Sequence, residues 1–241
     1  MDPNAPVKKQ RSPLFYVAIG CGGLVALILL GFLVVTLLVV RAGKGLVDGM
    51  TDPNQKAANV TKMMGKAPIG YHPIMTMSVP LFMDMALLGD KEMLADGGVP
   101  DFDKGFIYFR IIANEQSNRA KDFFDGKVDD TSALKGSGIN VDVKDILRRG
   151  ALKTASGSVV KYVATRGTME TQGTARQQET KSGINTVLYF ECVADTAVRM
   201  GVWMMQDVDP ELPTDQLKLE GTVADEAEIA RFIQPLTPCG K

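Results

Sequence analysis

The pattern of apolar and polar positions changes sharply about 40 residues into the chain. Residues 14–40 form a run without a charged side chain, in which Cys21 and Thr36 are among the few mildly polar members. A helix over this run is about 40 Å long, which exceeds the ~30 Å hydrocarbon core of a bilayer. A cleavable signal peptide has an apolar region of only about 7–15 residues. The pattern therefore predicts one transmembrane helix over residues 14–40.

The rest of the chain is divided by this predicted helix. Residues 1–13 are predicted to form a short tail, residues 41–51 a glycine-containing linker, and residues 52–241 a soluble domain. Three basic residues precede the apolar run and two follow it closely. Since basic residues favour the cytoplasmic side of a membrane, we expect a cytoplasmic N-terminus and an extracytoplasmic C-terminal domain.

The first half of the domain mixes helical and strand patterns. Asp52 and Pro53 predict the start of a helix with Ala57, Val60 and Met64 on one face. Strand-like alternation then covers residues 71–79 and 83–88, and residues 106–112 give the clearest β segment. A helix is predicted over residues 114–124.

A short helix is predicted next, because Val143, Ile146 and Leu147 have helical spacing and Gly150 follows them. Strands are then predicted over residues 159–168, 186–193 and 197–206, with a polar hairpin loop at 171–183.

The chain ends in a predicted helix that begins near Asp225 and stops at Pro235. Ile229, Phe232 and Ile233 form its apolar stripe. Consecutive strands with short or polar links favour antiparallel pairing. The fold class is therefore predicted as α+β, with a mainly antiparallel sheet and flanking helices that include this C-terminal helix.

Charge and motif content exclude several functions. Five of the 27 basic residues and one of the 28 acidic residues precede residue 45, so the remainder has 22 basic and 27 acidic residues. An acidic domain argues against nucleic-acid binding. His72 is the only histidine, which argues against multi-histidine zinc sites and leaves no nucleophile–histidine motif. No cofactor motif is present, and the domain is predicted to be non-catalytic.

Methionine raises the first alternative. The chain has 13 methionines, and Met75, Met77, Met83 and Met85 lie close together, near His72. Thioethers are soft ligands suited to Cu(I), and alternation places Met75 and Met77 on one strand face. The same spacing also suits a buried strand face, because methionine fills irregular cores. A copper-binding envelope protein is therefore the alternative to simple packing.

A second alternative is an enzyme with an unfamiliar site in the acidic segment after residue 206. Asp207, Asp209, Glu211 and Asp215 are grouped there and would suit a cation or a carboxylate-based reaction. A solvated acidic loop between a strand and a helix explains the same residues without any such chemistry.

Cys192 and Cys239 are the two cysteines outside the apolar run. A disulfide between them would stabilise the fold by about 4 kcal/mol through loop entropy and would tie down the C-terminal tail. Disulfides persist outside the cytoplasm, so this pairing agrees with an extracytoplasmic domain. The alternative is two free thiols in a cytoplasmic domain.

Small residues recur every four positions in the apolar run, at Ala18, Gly22 and Ala26. Such a stripe permits close helix packing, so the partners expected are the lipid bilayer and a membrane-protein partner or a second copy of the chain. The leading interpretation is a single-pass anchored protein whose extracytoplasmic domain binds a ligand or supports a membrane assembly.

Overall fold

The structure, a computed structural model, describes residues 52–79, 82–94, 100–113, 115–128, 130–131, 141–171, 179–193, 197–207 and 209–240. All of these residues belong to one compact unit, Gly45–Lys241. The predicted transmembrane helix at residues 14–40, the tail before it and the stripe of Ala18, Gly22 and Ala26 lie outside the described residues. None of the helices in the described ranges has both the length and the apolarity to cross a membrane.

Seven strands in the described part of the chain form one antiparallel sheet, in the order β1-β2-β3-β7-β6-β5-β4. The strands are His72–Val79 (β1), Met83–Gly89 (β2), Lys104–Ile112 (β3), Val141–Lys153 (β4), Val159–Thr171 (β5), Glu179–Glu191 (β6) and Ala197–Gln206 (β7). The helices are Pro53–Met64 (α1), Glu115–Phe124 (α2) and Glu226–Ile233 (α3), with a short 3-10 turn at Thr214–Gln216. An α+β domain with an antiparallel sheet and a C-terminal helix is thus confirmed.

Helix α1 has the predicted ends, and its buried face includes two of the three residues predicted to share one face. The Asp52 carboxylate accepts a hydrogen bond from the Asn54 backbone N–H at 2.9 Å, and Gly65 closes the helix with a positive φ of 85°. The buried positions are Lys56, Val60 and Met64, whereas Ala57 is exposed. Two of the three residues predicted to share a face, Val60 and Met64, are thus buried, and Lys56 takes the place of Ala57 beside them.

The predicted helix around residues 143–150 was wrong, since this segment belongs to strand β4. Two irregularities interrupt its pairing with β5, between Val143 and Asp145 and between Ile146 and Arg148. Each extra residue in a bulge lengthens the spacing between side chains on one face from two positions to three. Val143 and Leu147 consequently pack on opposite sides of the sheet, although their spacing resembles a helical stripe.

The long hairpin between β5 and β6 is more regular than the predicted loop at residues 171–183. Strand β5 continues to Thr171 and β6 already begins at Glu179, with backbone pairing between these two residues. Residues 172–178 lie outside the described part. Polar side chains do not prevent strand pairing when the backbone hydrogen bonds are satisfied. A prediction that depends on side-chain composition therefore gave both strands too few residues.

The sheet carries one hydrophobic core on each side. We call the side with Phe106 and Trp203 the first face and the side with Phe109 and Met200 the second face. Helices α1 and α3 and the C-terminal residues cover the first face, where the Trp203 and Phe232 rings stack with centroids 4.2 Å apart. Helix α2 packs on the second face through its last turn. The part of the second face nearest strands β1 and β2 lies outside this core.

Candidate functional site

The predicted soft-metal residues lie on the first two strands of the sheet. Met77 pairs directly with Met85, while Met75 lies opposite Leu87 and Met83 opposite Val79. Alternation along each strand places the four methionines on the second face. Metal binding by these residues stays a prediction.

His72, the fifth predicted residue of this set, has a carboxylate partner. Its Nδ1 lies 3.6 Å from Glu92 Oε1, and its side chain is 41% exposed. Glu92 follows β2 in the chain, so this contact joins the beginning of β1 to the segment that leaves β2. The contact explains the position of His72 without a metal ion.

The acidic segment after β7 does not gather its carboxylates around one point. Asp207 is buried and accepts a hydrogen bond from Arg166 Nε at 2.6 Å, whereas Asp209, Glu211 and Asp215 are exposed. The described residues contain no group of three or more His, Cys, Asp or Glu side chains arranged to hold a metal ion. Asp207 therefore fastens the segment to the sheet, and its partner Arg166 was not identified from the sequence.

Cys192 and Cys239 are joined by a disulfide, with their Cα atoms 5.2 Å apart. Cys192 directly follows β6, and Cys239 lies near the C-terminus. The bridge attaches the C-terminal residues, which follow helix α3, to the central part of the sheet.

A pocket of about 370 Å³ lies on the second face, at the end of the sheet where β3 begins and β7 ends. Its apolar lining comes from Leu87, Ile107 and Met204 on three neighbouring strands and from Phe102 just before β3. The volume is in the range of small-molecule sites, which are mostly apolar clefts with a few polar groups. The pocket is therefore a candidate ligand site in the described part of the chain.

Two glycines and one aromatic ring give the pocket its shape. Gly105 and Gly183 line it from β3 and β6. A Cβ at Gly105 would lie 3.5 Å from the Met204 side chain, whereas a Cβ at Gly183 would lie only 3.1 Å from the Met205 carbonyl oxygen and 3.7 Å from the side-chain amide of Asn185. Phe102 lies directly over Gly89, where a Cβ would come within 2.1 Å of its ring. Phe102 can form this wall only because residue 89 has no side chain.

Asn185 is the most deeply buried polar residue of the pocket. It is 1% exposed, and its Nδ2 has no hydrogen-bond partner. A buried amide without a partner costs about 1–3 kcal/mol relative to a satisfied one. Asn185 belongs to the lining of the pocket, so an acceptor oxygen that reached Nδ2 would satisfy this amide.

The rim of the pocket has no cationic side chain to attract an anion. Asp101 and Asp103 are exposed at the rim, and none of the described residues that line the pocket is Lys or Arg. Lys91 lies beside the rim, where its Nζ is 3.1 Å from Asp103 Oδ2 and donates to the Asp101 carbonyl. This environment favours an uncharged ligand over an anionic one.

Sequence reasoning did not identify the pocket, although one signal was present. Glycine inside a strand often marks a close approach of another group, and Gly89, Gly105 and Gly183 all lie within strands that line or adjoin the pocket. Gly105 on β3 and Gly183 on β6 line the same pocket only because of the strand order, in which β7 alone separates β3 from β6.

The chain was compared with known proteins at three levels. No protein-family model, no curated protein and no solved structure gave a match.

Proposed function

We propose that this chain is a membrane-anchored, non-catalytic binding protein whose domain takes up a small, uncharged, mainly apolar molecule. The observation that carries the proposal is the Asn185 amide, whose Nδ2 is buried and unpaired in a mainly apolar pocket. The ligand would place its apolar part against Leu87, Ile107 and Met204. A carbonyl, ether or hydroxyl oxygen of the ligand would accept the hydrogen bond from Asn185 Nδ2.

Anchoring and orientation belong to the same proposal. The charge-free run at residues 14–40 supports a membrane anchor, and the disulfide between Cys192 and Cys239 supports an oxidising compartment for the domain. The chain would then hold its pocket outside the cytoplasm at a membrane surface. Apolar molecules concentrate at such a surface, which suits the chemistry of the pocket.

A matched pair of probes tests the binding function. The two probes are 2-acetylnaphthalene and 2-isopropenylnaphthalene, which have nearly the same shape, although only the first has a carbonyl acceptor. We expect saturable binding of both to the full chain in detergent, with the ketone bound roughly 3- to 10-fold more tightly. Titration calorimetry corrected for detergent partition gives the affinities, and the NMR signal of the Asn185 side-chain amide reports the site.

Variants separate the hydrogen bond from the cavity. Asn185→Leu is expected to remove the preference for the ketone, and Gly105→Val to fill the pocket and abolish binding of both probes. Asn59→Leu is the matched control, because Asn59 is bonded to Thr76 and does not line the pocket. No saturable binding, or an unchanged ketone preference in Asn185→Leu, would overturn the proposal.

Thiol labelling in intact cells tests the orientation. A membrane-impermeant maleimide is expected to label Cys192 and Cys239 only after the cells are treated with a reductant, because a disulfide does not react with maleimides. Labelling that appears only after lysis would place the domain in the cytoplasm and contradict this part of the proposal.

A further inference from the structure

Four methionines are arranged as a compact array on the hairpin of β1 and β2. Each strand contributes a Met-X-Met sequence, Met75 to Met77 on β1 and Met83 to Met85 on β2. Met77 and Met85 are direct partners across the antiparallel pair. Directly opposed residues have Cβ atoms about 4.5–5.5 Å apart, so the two flexible side chains can bring their sulfur atoms to a common point.

Core packing does not account for these side chains. All four methionines are only partly buried, whereas their neighbours Ile74, Thr76 and Ala86, which point to the first face, are buried. The core on the second face has Ile107, Ile111 and Met204 packed at its margin, and within the described residues it includes none of the four. The four side chains are therefore partly exposed and lie outside the described second-face core.

The harder groups nearest the array have other partners: His72, at the start of β1, lies 3.6 Å from Glu92, and Asp84 is turned to the first face. Asp84 lies between Met83 and Met85, but alternation directs its side chain to the first face. There it accepts a hydrogen bond from Ser78 at 2.6 Å and lies 3.4 Å from Arg110. Neutral thioether donors suit Cu(I), a soft monovalent cation.

We infer that the second face of the β1–β2 hairpin is a Cu(I) site, in which Met77 and Met85 supply two thioether ligands and Met75 or Met83 a third. Thioether ligands suit a domain that contains a disulfide, because cysteine thiols are prone to oxidation in the compartment where disulfides persist. This inference is independent of the pocket, since none of the four methionines lines it.

A competition titration tests the site. The full chain is used in detergent with its disulfide intact and with Cys21→Ser, so that no free thiol contributes. Cu(I), kept reduced by ascorbate, is added against the chromophoric chelator bicinchoninate. We expect the chain to withdraw one Cu(I) per molecule, and the εCH₃ NMR signals of Met77 and Met85 to shift together.

The variant Met77→Leu with Met85→Leu is expected to weaken Cu(I) binding roughly 100-fold, equivalent to about 2.7 kcal/mol. Leucine has a similar volume, so the fold should be preserved. The matched control is Met63→Leu with Met205→Leu, which changes two partly buried methionines that pack against the first-face core. This control should keep the affinity of the unsubstituted chain.

Three results would overturn the inference. The first is that the unsubstituted chain withdraws no Cu(I) from the chelator. The second is equal binding in the Met77/Met85 variant, and the third is a Cu(I)-induced shift confined to other methionines. The NMR shift is measured on the chain that keeps Met77 and Met85, so it still tests the inference if the double variant fails to fold. The Gly105→Val variant, which fills the pocket, should keep Cu(I) binding. Loss of ligand binding in the pocket can therefore be told apart from loss of Cu(I) binding.

Discussion

Arg166 on β5 forms an ion pair with Asp207 just beyond β7, with 2.6 Å between Arg166 Nε and Asp207 Oδ2. The two side chains are 2% and 0% exposed. Arg166 also donates to the main-chain carbonyl of Asp209 at 2.6 Å and to that of Leu212. One buried guanidinium thus connects β5 to the segment that leads from the sheet to helix α3.

Replacing Asp207 is expected to destabilise the domain strongly. Asp207→Asn leaves the buried Arg166 cation without a counter-charge, and breaking a buried pair in this way costs about 3–5 kcal/mol. The measurement is the free energy of unfolding in urea. Asp209→Asn is the control, because the Asp209 side chain is exposed and only its main-chain carbonyl accepts a hydrogen bond from Arg166. Its effect on the free energy of unfolding should stay within about 0.5 kcal/mol. Equal losses in the two variants would contradict the importance of the ion pair.

Loss of the disulfide is expected to lower the free energy of unfolding by about 4 kcal/mol, because the bridge closes a loop with a sequence separation of 47 residues. Cys239→Ser should have this effect under oxidising conditions. A reductant should reproduce it in the unsubstituted chain and should change the Cys239→Ser variant very little. A reductant effect of the same size in that variant would point to a different origin.

Asp125 is expected to make a pH-dependent contribution to stability. Hydrogen bonds from Lys121 and Lys161, with a further one from Lys127, lower the pKa of the Asp125 carboxyl below its usual range. Because the pKa is lower in the folded state, the stabilisation is complete above the unfolded pKa of about 3.9 and is lost as the pH falls through the folded value.

Asp125→Asn should therefore reduce the free energy of unfolding by about 1 kcal/mol at pH 7. The difference from the unsubstituted chain should shrink below about pH 4. Urea titrations at several pH values measure it. Asp122→Asn is the control, because Asp122 has one ion-pair partner, Lys127, and is 45% exposed. A pH-independent difference for Asp125→Asn would contradict the electrostatic explanation.

Gly201 is expected to tolerate no side chain. A Cβ at this position would lie 2.5 Å from Cε2 of Phe106, whose ring is fully buried. Gly201→Ala should cost about 1–3 kcal/mol through overpacking. Gly105→Ala on the neighbouring strand is the control, since its Cβ would meet Met204 at an ordinary 3.5 Å. Similar stabilities of the two variants would show that the Phe106 ring can shift.

The elements predicted correctly are those whose signals are local. Asp225 begins helix α3 by accepting a hydrogen bond from the Ala227 backbone N–H at 3.0 Å, and the stripe of Ile229, Phe232 and Ile233 is buried as expected. The aromatic and β-branched segment of β3 likewise needs no distant information. Strand β4 was mispredicted because its bulges depend on pairing with β5, which local periodicity does not report.

The candidate sites depend on the sequence to different degrees. Met75 and Met77 share a face by strand alternation alone, so that part of the proposed metal site was predictable. The pairing of Met77 with Met85 also needs the register of the hairpin. Asn185 and Phe102 meet only because β3, β7 and β6 are neighbours in the sheet, so the pocket was not predicted.

The amino-acid sequence by itself determined the charge-free run at residues 14–40, the α+β composition of the domain and the ends of helices α1 and α3. These features depend on side-chain periodicity and on capping groups within a few residues of one another. Tertiary structure alone decided the burial of Arg166 with Asp207 and the unpaired amide of Asn185. Both depend on the order and register of the strands. Contacts between distant segments, which bury both faces of the sheet, set this order and register, so no single segment of the sequence reveals them.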